Sequence, residues 1–404
     1  MRRKRTGTAK AIVAILAVLL VGSGIFGASV IFEHRQQRAI EEELHEQAQS
    51  IQADMWTDDN TVYLDNELYG FDHRIETFLF VGTDASGGEA PTGINAHGPM
   101  ADFLLLMVLD HTDNTIGYIQ IDRNTVTEVD ELNLKGETVN TRELQICTAH
   151  WYGLNPEMSA ENTVKAVKTY LGELENINGY YVINMKDIGR LNHAVGGVQV
   201  TVDDDLDAWD SDLAKGKTLV LSDEQAEAFL RARMNVGEEE NAARMVRQRQ
   251  YMAALFEKVK EQTLENPKFG IELWNMLRDI AVTDMNGNDF SRIAQKLLKG
   301  KDKGIHTIKG ETILGYILED DIAHEEFYPD ELSVRDEMID LFSLVHIVEE
   351  DDWIDEEEED WDEDEDWDED EAWDEDEDIE DAEDDLDEDD IEDDDEDTLD
   401  DGEE

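Results

Sequence analysis

The sequence has one cysteine, Cys147, in 404 residues. A single thiol excludes an intramolecular disulfide and any metal site built from several cysteines. Cys147 reads as a packing residue. Basic residues are also scarce: 33 Lys and Arg stand against 102 Asp and Glu, for a formal net charge of −69. Such a balance leaves no broad basic face, so nucleic acid is not expected as a partner. Any anion must be held by a local arginine cluster. The shortage is most extreme from Glu349 to Glu404, where 43 of 56 residues are acidic and none is Lys or Arg. Like charge at this density, with Trp361, Trp367 and Trp373 recurring in WDEDED-like units, predicts a disordered, solvated tail over 349–404. His97, His111, His150 and His193 show no ligand spacing with one another and read as surface or packing residues.

One long apolar run is present. Residues 11–32 (AIVAILAVLLVGSGIFGASVIF) carry no charge and follow Arg2, Arg3, Lys4, Arg5 and Lys10. At helical rise they span about 33 Å, the depth of a bilayer core. A signal-peptide core is shorter, about 7 to 15 residues. The run therefore predicts one uncleaved N-terminal transmembrane helix, with residues 1–10 as a cytoplasmic basic tail. The basic flank places everything after Phe32 outside the cell, on a single-pass membrane anchor.

Residues 33–62 read as a polar stalk and 63–348 as the extracellular domain. RIETFLFVG (74–82) predicts a strand running into a Gly-rich loop from Thr83 to Pro99. ADFLLLMVLD (101–110) is the continuous apolar run of a strand buried on both faces. IGYIQIDRNT (116–125) returns from it as a hairpin, with Asp110 and Asp113 at the turn. SAENTVKAVKTYLGELEN predicts a helix capped by Ser159. GYYVINM (179–185) is a further strand, and a helix over 186–195 ends at Gly196 and Gly197. Ser222 and Gln225 form a capping box for the next helix. Alternating strands and helices predict an α/β or α+β domain in three layers.

The arginines concentrate in RARMNVGEEENAARMVRQRQ, residues 231–250. From Asn241 to about Gln262 the pattern is helical, with Met245, Met252, Leu255, Phe256 and Val259 on one apolar stripe. Arg244, Arg247, Gln248 and Tyr251 fall on an adjoining face near the helix N-terminus, and Arg249 points off it. The preceding helix is expected to end near Phe229 or Leu230. Arg231 and Arg233 would then lie in an extended segment and point the same way. Four convergent guanidinium groups suit a pyrophosphate. The same residues could instead pair with Glu238, Glu239 and Glu240, and the pattern alone leaves both readings open.

Several spaced motifs give the chain a resemblance to the LytR-CpsA-Psr family, the membrane-anchored cell-wall ligases of Gram-positive bacteria. They are FLFVGTD with Asp84, MAD with Asp102, IDRNT with Arg123, and GGVQV. L-x-x-G, L-S-x-x-Q-A and R-x-R follow over Leu213 to Arg233, and R-x-x-R-Q over Arg244 to Gln248. The resemblance covers about residues 63–348. It implies a three-layer α/β/α sandwich that transfers a glycopolymer, such as wall teichoic acid, from polyprenyl pyrophosphate to peptidoglycan. It further implies that Asp84 and Asp102 hold Mg²⁺. Arg123, Arg231, Arg233, Arg244, Arg247 and Gln248 would bind the pyrophosphate, and Arg123, Arg231, Arg233, Asn241 and Arg244 would stand at the reacting centre.

Three positions depart from the family pattern. Met100 stands where the family usually has Arg, and Asn124 where Asp is usual. Asn241 replaces an Asp that could accept the hydroxyl proton, and an amide cannot act as a base. The expected function is therefore a glycopolymer–peptidoglycan phosphotransferase. The alternative is a catalytically weak protein that binds the polyprenyl phosphate or the wall polymer.

Overall fold

The computed structural model describes residues 56–83, 98–133, 135–153, 155–232, 240–319 and 321–347. The apolar run 11–32, Asp84, His97, Arg233, the side chains of Glu238, Glu239 and Glu240, and the acidic tail lie outside the described residues. So do most of the stalk and of the Gly-rich loop. Among the described residues no helix is long and apolar enough to cross a membrane.

A six-stranded mixed sheet is built from β1 (Ile75–Thr83), β2 (Ala101–Asp110), β3 (Thr115–Ile121), β4 (Gly179–Asn184), β5 (Ala281–Thr283) and β6 (Lys301–Thr307), in the order β5-β4-β1-β2-β3-β6. β2 runs antiparallel to both β1 and β3, while β1 pairs with β4 and β3 with β6 in parallel. The apolar run expected of a doubly buried strand is this central β2. Its side chains alternate between faces. Leu105, Met107 and Leu109 join one core, and Leu104, Leu106 and Val108 join the other.

The helices are α1 (Pro156–Tyr170), α2 (Ile188–Ala194), α3 (Asp223–Arg231), α4 (Glu240–Glu265), α5 (Phe269–Leu277), α6 (Gly287–Lys299) and α7 (Glu331–Phe342). Residues of α2 to α6 fill the first core, and residues of α1 and α7 the second. Helices therefore cover both faces of the sheet. A small antiparallel sheet of Thr61–Leu64, Glu67–Gly70 and Val345–His346 joins the two ends of this unit. Described structure thus begins ahead of Tyr63, and Asn60 is already buried, donating to the Phe71 carbonyl at 2.9 Å.

Two local expectations differ from the structure. Asn155, not Ser159, caps α1: its side chain accepts from the Met158 N–H, and Pro156 occupies the first turn, where its missing N–H costs nothing. Ser159 lies buried inside the helix. The Ser222–Gln225 capping box forms as expected, but α3 continues through Arg231, whose guanidinium reaches back one turn to Glu227 at 2.7 Å. Arg231 is thus the last helical residue and not part of an extended segment.

Candidate active site

The site gathers at one end of the sheet. After β3 the chain turns sharply through Asp122-Arg123-Asn124-Thr125. The Thr125 N–H donates to the Asp122 carbonyl at 3.1 Å, and the Asn124 N–H to the Asp122 carboxylate at 2.8 Å. The Arg123 carbonyl accepts from the Cys147 N–H. Its side chain is buried, with one terminal nitrogen on the Met100 and Cys147 sulfurs. Burial opposes its charge, yet Cys147, Asp102 and Asp122 around it hold its pKa above the ordinary arginine value. Burial pushes the Cys147 thiol up, against the charge of Arg123 beside it.

Asp102 comes from an irregularity in the β1–β2 ladder. Gly82 pairs with Phe103 and Thr83 with Ala101, so Asp102 is left without a cross-strand partner. A bulge of this kind re-aims a side chain at the edge of a sheet. Here it brings the carboxylate 3.1 Å from Arg123 Nε and 3.9 Å from a terminal nitrogen of Arg244.

The first turns of α4 close the cluster. Arg244 donates to Asn241 Oδ1 at 2.8 Å, and the Asn241 amide donates to Asp122 at 2.8 Å. Asp122, Asn241, Arg244, Asp102 and Arg123 are thus linked in one chain of polar contacts. Burial raises the Asp122 carboxyl above the usual carboxylate range, against hydrogen bonds from Asn124 and Asn241 and the charges of Arg123 and Arg244.

The row of Arg244, Arg247 and Gln248 expected on one helix face separates in three dimensions. Arg247 is among the most buried side chains; it donates to Asp204 and to the carbonyls of Phe229 and Ala232. It ties α4 to the C-terminus of α3, and burial lowers its pKa. Gln248 is buried too, and accepts from Gln120 at 3.2 Å. Arg249 reaches the same glutamine at 2.7 Å. Of the expected pyrophosphate ligands, Arg123, Arg231 and Arg244 line a common pocket with Asp102, while Arg247 and Gln248 do not, and Gln248 lines a separate apolar space.

That polar pocket is also walled by Met100, Asn124, Gln145, Trp209, His324 and Glu325. Beside it lies an apolar cleft. Phe80, Phe103, Tyr181 and Ile183 from the sheet face Met252, Phe256 and Leu273 from α4 and α5 across it. Met185 and Leu230 belong to both walls, so the two spaces are neighbours. Gly82 lies on the cleft wall, where a Cβ would come 3.0 Å from the Met185 Cε and 3.1 Å from the Phe103 Cβ.

Trp209, Gln145, His324 and Glu325 were not legible as site residues. They come from a loop and from two hairpins, Val126–Leu132 with Thr138–Gln145 and Gly310–Gly315 with His324–Pro329, and no motif marks them. Asp122 did carry a signal, since it sits beside Arg123 in IDRNT.

A comparison with family models matches residues 32–324 to the LytR_cpsA_psr family. The chain belongs to that family. Among solved structures, protein gbs0355 from Streptococcus agalactiae is 18% identical with a TM-score of 0.54, over 68% of this chain and 90% of that one. TagV from B. subtilis is 19% identical with a TM-score of 0.51, over 67% of this chain and 98% of that one. At such identities the likeness concerns the fold. A comparison with curated protein sequences gives no match. Membership supports cell-wall glycopolymer transfer at the level of the family.

Proposed function

We propose that this chain is a membrane-anchored extracellular phosphotransferase that moves a glycopolymer from polyprenyl pyrophosphate to peptidoglycan. The observation that carries the reading is that the two spaces share the walls Met185 and Leu230. An arginine-lined polar pocket beside an apolar cleft suits an amphiphile with an anionic head and a hydrocarbon tail. Arg123, Arg231 and Arg244 bind the pyrophosphate oxygens through charge-assisted hydrogen bonds. The acceptor hydroxyl attacks the sugar-side phosphorus, the bridging P–O bond breaks, and polyprenyl phosphate leaves. The guanidinium groups oppose the charge that develops on the phosphoryl oxygens.

Asp102 presents a carboxylate on the pocket wall, the hard oxygen chemistry that Mg²⁺ takes together with phosphate oxygens. Among the described residues no group of three or more His, Cys, Asp or Glu gathers to hold a metal. One or two carboxylates plus the ligand's phosphates suffice for Mg²⁺, so Asp102 fits, with Asp84 as the second expected ligand. Bound there, Mg²⁺ would neutralise phosphate charge. The anchor is the run 11–32, which leaves the domain at the outer membrane surface near its lipid substrate.

The test is direct. The protein is incubated with a polyprenyl pyrophosphate-linked glycan, peptidoglycan and Mg²⁺, and linked product is sought. Tight carrier binding without product would favour the alternative of a binding protein, for which the departures at Met100, Asn124 and Asn241 speak.

A further inference from the structure

Two described carboxylates line the polar pocket, Asp102 and Glu325. They are held in different ways. Asp102 faces guanidinium groups on two sides, Arg123 at 3.1 Å and Arg244 at 3.9 Å. Glu325 accepts through Oε2 from the neutral amide of Asn124, at 3.1 Å. Among the described residues no Lys, Arg or His forms an ion pair with Glu325, and its Oε1 has no described partner.

The backbone around Glu325 is fixed. The Phe327 N–H donates to the Asn124 carbonyl at 2.9 Å, and Thr125 and Phe327 form a parallel bridge. The Gln145 side chain donates to the Glu325 carbonyl. The 324–329 strand is thereby stapled to the same turn that carries Arg123. Glu325 lies one residue beyond the family match, which ends at 324.

Asp102 lies against both guanidinium groups and is the carboxylate assigned to the cation, so its oxygens are already engaged. Glu325 is the other described carboxylate on the pocket wall, held through Oε2 by a neutral amide, and a carboxylate oxygen can accept a proton from a bound hydroxyl. We infer that Glu325 is the general base of the transfer, and that Asn124 is the residue that positions it. The inference rests on the proposed reaction. The acceptor hydroxyl gives its proton to Glu325 Oε1 as its oxygen bonds to the sugar-side phosphorus. The electron pair of the broken P–O bond leaves on polyprenyl phosphate. The proton on Glu325 then passes to water.

The experiment measures transfer and carrier binding separately, on the full chain in detergent. Glu325→Gln should lower kcat by about 10²- to 10⁴-fold, with carrier affinity and thermal midpoint near those of the parent. Glu325→Asp should keep part of the rate. Added formate should restore activity to Glu325→Ala, where a small carboxylate can enter the vacated space, but not to Glu325→Gln. A structural role would not respond to formate. Parent-like turnover in Glu325→Gln overturns the inference, as does a loss in Glu325→Ala that formate leaves unchanged. If the parent binds carrier but transfers nothing, Glu325 is no base and the binding reading stands. If the parent neither binds carrier nor transfers glycan, the proposed function fails, and this inference with it.

Discussion

Asp102 Oδ1 lies 3.1 Å from Nε of Arg123, on a side chain that the β1–β2 bulge turns away from the ladder. Both groups are largely enclosed. Removing one partner of such a pair leaves a buried charge and costs about 3–5 kcal/mol. Asp102→Ala should therefore lower the stability of the free protein by an amount of this order. With Mg²⁺ left out, inorganic pyrophosphate should recover more stability in the variant than in the parent, since it supplies the missing anion. Denaturant titration with and without pyrophosphate measures both. An equal ligand effect in the two proteins would mean that Arg123 and Arg244 do not face the anion.

Arg244 and Arg247 are one helical turn apart, yet they should fail differently. Arg247→Ala strands the Asp204 carboxylate and the carbonyls of Phe229 and Ala232, so its main effect should be a lower thermal midpoint. Arg244→Ala should weaken carrier binding by about 10- to 100-fold, the loss of one charge-assisted hydrogen bond at about 1.5–3 kcal/mol. Binding measured on the folded fraction separates the two. The assignment fails if Arg247→Ala loses carrier affinity as fully as Arg244→Ala.

The cleft predicts a chain-length effect. Met252→Trp should fill apolar space beside Phe256 and Leu273. Affinity for a long-chain polyprenyl pyrophosphate should drop at least about 10-fold, the 1.4 kcal/mol expected from losing burial of a few CH₂ groups. Inorganic pyrophosphate should bind unchanged. A variant that binds both ligands like the parent would place the hydrocarbon elsewhere.

Asn241→Asp restores the family's usual residue, but the structure argues against a gain. The Asn241 amide donates to Asp122 at 2.8 Å, and a carboxylate there would face a second carboxylate. Two such groups cannot both ionise at this distance without cost. One should hold its proton with a raised pKa, so the variant should be destabilised at neutral pH and approach the parent as the pH falls. Equal stability across that range, read by thermal melts, would show that the site tolerates both charges.

His150 carries the clearest pH signature. It is buried against Thr163 at 2.9 Å, and burial lowers its pKa from 6.5 to about 4. Between these values the unfolded chain binds a proton that the folded protein refuses, so stability falls as pH falls. At one pKa unit per 1.36 kcal/mol the full effect is about 3 kcal/mol. Replacing His150 by Gln should flatten the stability profile between pH 6.5 and 4, whatever its cost at neutral pH.

The sequence by itself determined the elements whose signals are local. The apolar run of β2 needs burial on both faces, and the periodicity of α4 needs one apolar side. The Ser222–Gln225 capping box is satisfied by neighbours in the chain. Arg123, Arg231, Arg244 and Asp102, which line one pocket, were each marked by a short motif. Only the tertiary structure decided how they are used. Helical spacing puts Arg244 and Arg247 in one row, but α3 ends against α4, and its open carbonyls capture Arg247. Glu325 reaches the site from 201 residues away in the chain, through a hairpin stapled to the Arg123 turn. A contact of that range leaves no periodic trace, because it depends on the meeting of two backbones and not on the spacing of residues along either one.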